Sequence, residues 1–471
     1  MHIIFLNPQG NFDPTDSHMT EHPDFGGQLI YVKELAQAMA ELGHRTDILT
    51  RQIQDASWPE FSSELDTYPG YEDRLRIVRL PCGGPLFLAK ERLWNHLDEW
   101  VRNIVAFYGS ALPDFATAHY ADGGYAAALL EHQTGIDFTF TGHSLGAQKF
   151  DKLGTNASNF QDMERRYCFS RRLAAERLSM SRAHRIIVST GQERNEQYAH
   201  PLYRGAVDVE DADRFTVIPP GVNTRIFTTD IPPEDSLVHG MLHQRLGEAA
   251  GPFVVVSSRL DEKKNILGVV QAYASSQALQ RNCDLVICIR GLDDPFAEID
   301  SLSVAEQRVL GPILAAIESA GLRNRVHFLN LQSQRELAAA YRYLAQAGSV
   351  FALTAFYEPF GLAPIEAAAC GLVCVATRNG GPSEIFEDGS GILVDPFNED
   401  DIANGLLEAL KRQSELSLRA RERVRSKYTW AKTAEAYLEV IGREGPGDGG
   451  RSDPVPVPDA VALIERYLRG I

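Results

Sequence analysis

Two successive series of short apolar runs, each bounded by Gly, Pro, Asn, Asp or charged residues, limit what this chain can fold into. The first comprises His2–Leu6, Thr46–Thr50, Leu75–Leu80, Phe115–His119, Phe138–Thr141, Arg185–Thr190 and Phe215–Ile218. The second comprises Phe253–Ser257, Asp284–Arg290, Val326–Asn330, Ser349–Thr354, Leu372–Thr377 and Gly391–Val394. Runs this short and this apolar suit strands covered on both faces by helices. Helix-like stretches such as Leu29–Leu42 lie between several of them, so an α/β chain with two doubly wound, Rossmann-like parallel sheets is expected. Pro219-Pro220-Gly221 breaks the alternation. The expected division is an N-terminal domain over 1–225 and a C-terminal domain over 226–427, facing across a cleft that is the default ligand site. A helix over 428–441 is expected to pack back on the N-terminal domain. Residues 442–471 read as a flexible linker, rich in Gly, Pro, Asp and Ser, followed by a short amphipathic tail helix.

A length of 471 residues leaves room for two or three cores. The formal net charge of −17 argues against general nucleic-acid or anionic-membrane binding, and any anionic substrate then needs a local basic pocket. The six cysteines (Cys82, Cys168, Cys283, Cys288, Cys370, Cys374) show no C-x2-C spacing and mostly sit in apolar runs. Buried free thiols in a reducing cytosol are expected, hence a cytoplasmic protein. Met1 leads straight into a strand with no signal-like segment, and no run approaches the roughly 20 apolar residues of a membrane span.

The most telling stretch is Tyr357-Glu358-Pro359-Phe360-Gly361-Leu362-Ala363-Pro364-Ile365-Glu366, between an apolar strand and an Ala-rich helix. Gly361 lets the backbone approach a ligand, the helix start offers N–H donors to an anion, and Glu358 and Glu366 can accept from sugar hydroxyls. Acids in a first helical turn also simply suit the helix dipole. Ser258-Arg259-Leu260-Asp261-Glu262-Lys263-Lys264-Asn265 ends another strand, where cations can neutralise a diphosphate or form an ordinary solvated turn. Arg378-Asn379-Gly380-Gly381-Pro382-Ser383-Glu384 reads as a further wall of the same site or as a plain turn. Near the N-terminus, Phe25-Gly26-Gly27-Gln28 links a strand to a helix without the G-x-G-x-x-G dinucleotide fingerprint.

Gly142-His143-Ser144-Leu145-Gly146 matches the G-x-S-x-G elbow of serine hydrolases and follows a strand. Against a hydrolase stand the missing oxyanion loop, the two complete sheet series and the unexplained phosphate-suited loops. In the cleft reading, His143 and Ser144 line the acceptor side instead. Lys90, Tyr120, Lys149, Arg171 and Arg172 are candidates for a cationic pocket that would hold a phosphorylated acceptor. Adjacent helical residues point about 100° apart, so one of the two arginines should face it.

Together, Gly26-Gly27-Gln28, His143, Arg259 with Lys264, and the Glu358/Glu366 pair resemble the retaining GT-B glycosyltransferases of family four. Four longer runs, 7–12, 21–28, 142–149 and 202–207, resemble a bacterial branch of that family acting on phosphorylated fructose. The resemblance covers roughly residues 1–441. It implies transfer of glucose from a nucleoside diphosphate glucose to fructose 6-phosphate with retention, followed downstream by a separate phosphatase. It further implies that Arg259 and Lys264 stabilise the departing diphosphate, Glu366 binds ribose, Glu358 glucose, and His143 orients the sugar. Phe360, Gly361, Leu362 and Ala363 would border sugar and phosphate, Leu331 and Gln332 the base. Gly27 would border the donor, and Gly26 and Gln28 would sit beside both substrates. Lys90, Tyr120, Ser144, Lys149, Arg171 and Arg172 would hold the acceptor. No clear metal-ligand cluster exists, so no cofactor is expected to be required, with Mg2+ left as a stimulatory ion. Readings of the same fold with free fructose or GDP-mannose, and a sugar-binding module without catalysis, stay open.

Overall fold

The computed structural model describes residues 1–17, 27–247, 251–443 and 454–470. The chain divides into two units, Met1–Pro219 with Thr433–Ile471, and Pro220–Lys432.

In the first unit the strands are β1 (His2–Leu6), β2 (Arg45–Arg51), β3 (Leu65–Asp66), β4 (Leu75–Leu80), β5 (Phe115–His119), β6 (Phe138–Thr141), β7 (Arg185–Val188) and β8 (Phe215–Val217). They form one sheet in the order β3-β4-β2-β1-β5-β6-β7-β8. All pairs are parallel except β3 with β4. The apolar runs anticipated every parallel strand, because a strand covered on both faces must be apolar on both. Strand β3 left no such signal, being a two-residue edge. Helices Tyr120–Thr134 and Phe169–Arg182 lie against each other so closely that a Cβ at Gly124 would meet Ser179 Oγ at 2.2 Å.

The chain returns to this unit at Thr433, whose hydroxyl donates to Pro219 O at 2.8 Å. Tyr437, on helix Trp430–Ile441, is fully buried, its hydroxyl 3.0 Å from Tyr31 OH and 2.9 Å from Thr141 Oγ1. The division falls at Pro219/Pro220 rather than at 225, because Val222 and Phe227 pack into the core of the second unit. The tail helix Val461–Leu468 buries Ile464 in the first unit's core, and Tyr467 OH donates to Asp151 Oδ1 at 3.1 Å. Much of the linker expected after Gly442 lies outside the described residues.

The second unit holds β9 (Phe253–Ser257), β10 (Asp284–Cys288), β11 (Val326–Leu329), β12 (Val350–Leu353), β13 (Val373–Thr377) and β14 (Ile392–Val394), in the order β11-β10-β9-β12-β13-β14. All pairs are parallel. The six cysteines are free thiols, all buried except the part-buried Cys168. Among the described residues no helix is long and apolar enough to cross a membrane.

Candidate functional site

In the second unit the connections reverse direction between β9 and β12, so the carboxyl ends of these two strands frame a crevice. The segments singled out from the sequence meet there. Asn265 ties them together from a left-handed conformation, φ +52°. Its Oδ1 accepts from Gly268 N, while its Nδ2 donates to Thr354 O at 3.1 Å and Pro396 O at 2.8 Å. Lys264 Nζ donates to Glu358 Oε2 at 2.6 Å, a part-buried ion pair. Arg259 is exposed, and its guanidinium has no partner among the described residues.

The Glu358 loop is gripped from below by Arg378–Glu384. Glu358 N donates to Asn379 O at 3.1 Å and Gly381 N to Glu358 O at 2.9 Å. A Cβ at Gly380 would lie 2.0 Å from Glu358 O, and one at Gly381 2.3 Å from Phe360 O. This glycine pair is therefore required by the close approach of the two segments. Gly361, at φ +109°, opens helix Leu362–Ala369, with Leu362 exposed and Ala363 part-buried. The side chains of Phe360 and Leu331 are nearly buried and belong to the core of this unit. Gln332, beyond the end of β11, is exposed, and its N–H donates to Glu336 Oε2 at 2.7 Å.

The carboxylate of Glu366 has neither hydrogen bond nor ion pair among the described residues. Burial pushes its pKa from the ordinary 4.5 up to about 7. Folding therefore favours the protonated form, a contribution present below pH 4.5 and lost as pH rises through 7. Glu366→Gln should match the wild type in stability near pH 4.5 and exceed it by up to about 3 kcal/mol above pH 7.5, because each tenfold difference in proton affinity between folded and unfolded chain is worth about 1.4 kcal/mol. Denaturant unfolding at the two pH values measures the difference; a gap that does not change with pH would remove Glu366 from this environment.

In the first unit the connections reverse between β1 and β5. One pocket at this edge is lined by Lys90, Tyr120, Lys149 and Arg172, together with Gln9, Glu91, Trp94, Ala121, Asp122 and Tyr167. Four of the expected acceptor ligands thus meet within one unit. Arg172 is the inward arginine. It lies over the Tyr120 ring at 4.8 Å, donates through Nε to Glu176 Oε1 at 3.0 Å and through Nη2 to the Ser144 carbonyl. Burial opposes its charge, but Glu176 and Tyr120 outweigh that and hold it protonated. Arg171 points elsewhere, donating to Asn95 Oδ1 at 2.9 Å. Lys149 Nζ sits 4.4 Å from the Tyr167 ring centroid. Tyr120 adopts φ +70°, a strained value of the kind that collects at ligand sites. Asp122 was not anticipated as a lining residue; burial raises its pKa to about 6, and its Oδ2 has no hydrogen-bond partner.

The G-x-S-x-G match has a structural explanation. Gly146 N donates to both Glu176 oxygens at 2.9 and 3.0 Å, and a Cβ at Gly142 would meet Leu145 at 2.6 Å. His143 Nε2 is 2.9 Å from His119 Nδ1, neither ring nitrogen is hydrogen-bonded to Ser144, and Ser144 is exposed. Burial lowers the His143 pKa to about 4, which keeps the ring neutral. Gly27 begins helix Gly27–Glu41, and Gln28 Nε2 is buried without a hydrogen-bond partner; Gly26 lies outside the described residues. Among the described residues no group of three or more His, Cys, Asp or Glu could hold a metal ion.

A family model described as glycosyl transferases group 1 matches residues 242–427, and one described as a glycosyl transferase 4-like domain matches 26–221. A probable sucrose-phosphate synthase of Thermosipho melanesiensis is 44% identical over 448 residues, covering 94% of this chain and 97% of that protein. Sucrose-phosphate synthase 4 of Arabidopsis thaliana is 31% identical, covering 94% of this chain and 46% of its own length. The chain therefore spans about half the length of such plant relatives. Among solved structures, a sucrose-phosphate synthase from Thermosynechococcus elongatus superposes with TM-score 0.64 at 24% identity, covering 93% of this chain and 98% of that one. At that identity the likeness bears on fold, two Rossmann-like domains of the GT-B type.

Proposed function

The chain belongs to the sucrose-phosphate synthases, glycosyltransferases of the GT-B fold, and from that premise we propose that it moves glucose from a nucleoside diphosphate glucose to O2 of fructose 6-phosphate. UDP-glucose is the expected donor, and the α linkage is retained. The observation that carries the acceptor assignment is the single pocket holding Lys90, Lys149 and Arg172. An acidic chain that gathers three cations in one pocket is suited to a phosphorylated sugar, and a free ketose would not need them.

Arg259 and Lys264 then stabilise charge that grows on the departing β-phosphate, an interaction stronger in the transition state than in the ground state. The N–H groups of Gly361, Leu362 and Ala363 support sugar and phosphate, with Glu358 on glucose hydroxyls and Glu366 on ribose. The leaving diphosphate takes the proton of the acceptor hydroxyl as an oxocarbenium-like sugar forms on the same face. No cofactor is required in this reading; Mg2+ would stimulate by pairing with the diphosphate. The product is sucrose 6-phosphate, and a separate sucrose-phosphate phosphatase in the same cytoplasm would release sucrose.

The deciding experiment is a matrix of UDP-, ADP- and GDP-sugars, GDP-mannose included, against fructose and fructose 6-phosphate, with the product identified. Turnover with free fructose alone would replace this reading by a sucrose synthase-like one. Lys149→Ala should raise KM for fructose 6-phosphate much more than KM for the donor; equal effects would sink the phosphate assignment. Glu366→Ala should weaken donor binding by about 1–3 kcal/mol, read by calorimetry, since an acceptor for ribose hydroxyls is lost.

A further inference from the structure

His143 belongs to a line of three polar side chains in the first unit. Thr117 Oγ1 lies 3.1 Å from His119 Nε2, and His119 Nδ1 lies 2.9 Å from His143 Nε2. Thr117 and His119 are fully buried on β5. Phe5 stacks on the His119 ring at 6.0 Å, and Tyr31 meets the His143 ring edge-on at 4.9 Å. Burial holds both imidazoles below the ordinary histidine range, so both are neutral. His143 itself is kept in a left-handed conformation, φ +55°, by the turn that follows β6.

A neutral imidazole carries one donor and one acceptor nitrogen. The line can therefore order its protons in two ways. In one, the Thr117 hydroxyl donates to His119 Nε2, His119 Nδ1–H donates to His143 Nε2, and His143 is protonated on Nδ1. In the other, every hydrogen bond runs backwards: His143 Nε2–H donates to His119 Nδ1, and His119 Nε2–H donates to Thr117 Oγ1. The Thr117 hydroxyl proton then needs an acceptor of its own. Among the described residues Thr117 Oγ1 has no partner besides His119. A buried donor is seldom left unpaired, whereas an idle acceptor lone pair is tolerated more often, so the first order is favoured.

We propose that Thr117 and His119 are positioning residues that hold His143 as the Nδ1–H tautomer, so that it offers a donor to a sugar oxygen. Nδ1 has no partner among the described residues and is the nitrogen left for the ligand. A sugar hydroxyl facing this N–H must accept there and send its own proton elsewhere, which restricts how the hexose can sit. The inference rests on the reading that His143 contacts the transferred glucose.

The test uses the full-length protein labelled with 15N in histidine. Two-bond 1H–15N correlation reports the tautomer, with the His143 signals assigned by their loss in His143→Gln. We expect wild-type His143 as one tautomer, protonated on Nδ1. Thr117→Asp, assayed at pH 8, sets an acceptor-only carboxylate against His119 Nε2, which must then carry its proton; His143 should turn to the Nε2-protonated form, and kcat should fall with the fraction in that form, with KM for fructose 6-phosphate unmoved. Thr117→Ser, which keeps the hydroxyl donor, should match the wild type in both readouts. An Nε2-protonated or already mixed His143 in the wild type overturns the proposal, and so does an unchanged tautomer in Thr117→Asp. If instead His143→Gln leaves transfer and donor affinity intact, the sugar-contact reading fails while the tautomer result stands.

Discussion

Arg172→Ala is expected to lower the unfolding free energy by about 3–5 kcal/mol and to raise KM for fructose 6-phosphate far more than KM for the donor. Arg172 is 6% exposed, and its guanidinium is paired with Glu176, itself fully buried. Removing the cation strands the carboxylate. Burial already pushes the Glu176 pKa up, and Arg172 is the largest influence pulling against it. Glu176 has further duties: it accepts from Gly146 N and from Tyr203 OH, which fixes the start of helix Gly146–Lys152 and with it Lys149. One substitution therefore removes a proposed phosphate ligand and loosens the segment carrying another. Combining Arg172→Met with Glu176→Gln separates the two effects. The amide no longer strands a charge and still accepts a hydrogen bond, so part of the stability should return, while KM for the acceptor stays high. Urea unfolding and initial-rate kinetics on the three proteins read both. A stability loss under about 1 kcal/mol for Arg172→Ala would mean that the pair is solvated like a surface one.

Gly380→Ala should cost about 100-fold in kcat/KM, with weaker donor binding, because it displaces the Glu358 loop from below. The added Cβ would stand 2.0 Å from the Glu358 carbonyl oxygen, so the backbone has to move by about an ångström, and shifts of that size in catalytic groups cost about 100-fold. The residue also sits at φ +101°, ψ −154°, a region essentially reserved for glycine, where a side chain adds about 1–3 kcal/mol of strain. Gly70→Ala is the control. Gly70 has φ +86° but nothing within 4 Å of its Cβ position, so it carries the strain without the collision. Gly70→Ala should lose about 1 kcal/mol of stability and keep its activity. Equal activity in the two variants would show that the Glu358 loop does not depend on the close approach at Gly380.

The part of the site that lies in loops after strands was legible early. Apolar runs mark buried parallel strands, and the next polar, glycine-bearing stretch must then be the carboxyl end of the sheet, where Arg259, Lys264, Glu358 and Gly361 are found. Gly380 and Gly381 were ambiguous, since a tight turn and a close approach of two backbones ask for the same residue. Phe360 and Leu331 were expected to border the ligand, and the sequence did not show that their side chains also pack into the core. The G-x-S-x-G match at 142–146 misled for a related reason: its glycines serve packing against Leu145 and a hydrogen bond to Glu176.

What the sequence determined by itself was the alternation of elements, the two sheets and the connections that carry Arg259, Lys264 and Glu358, because hydrophobic period and glycine placement are local properties of the chain. What only the tertiary structure decided was which of Arg171 and Arg172 turns inward, that His119 and Thr117 stand behind His143, that Asn265 joins three loops, and that Tyr437 and the tail helix return to the first unit. Each depends on side chains far apart along the chain, held by hydrogen bonds and burial that have no period, so no spacing of letters announces them.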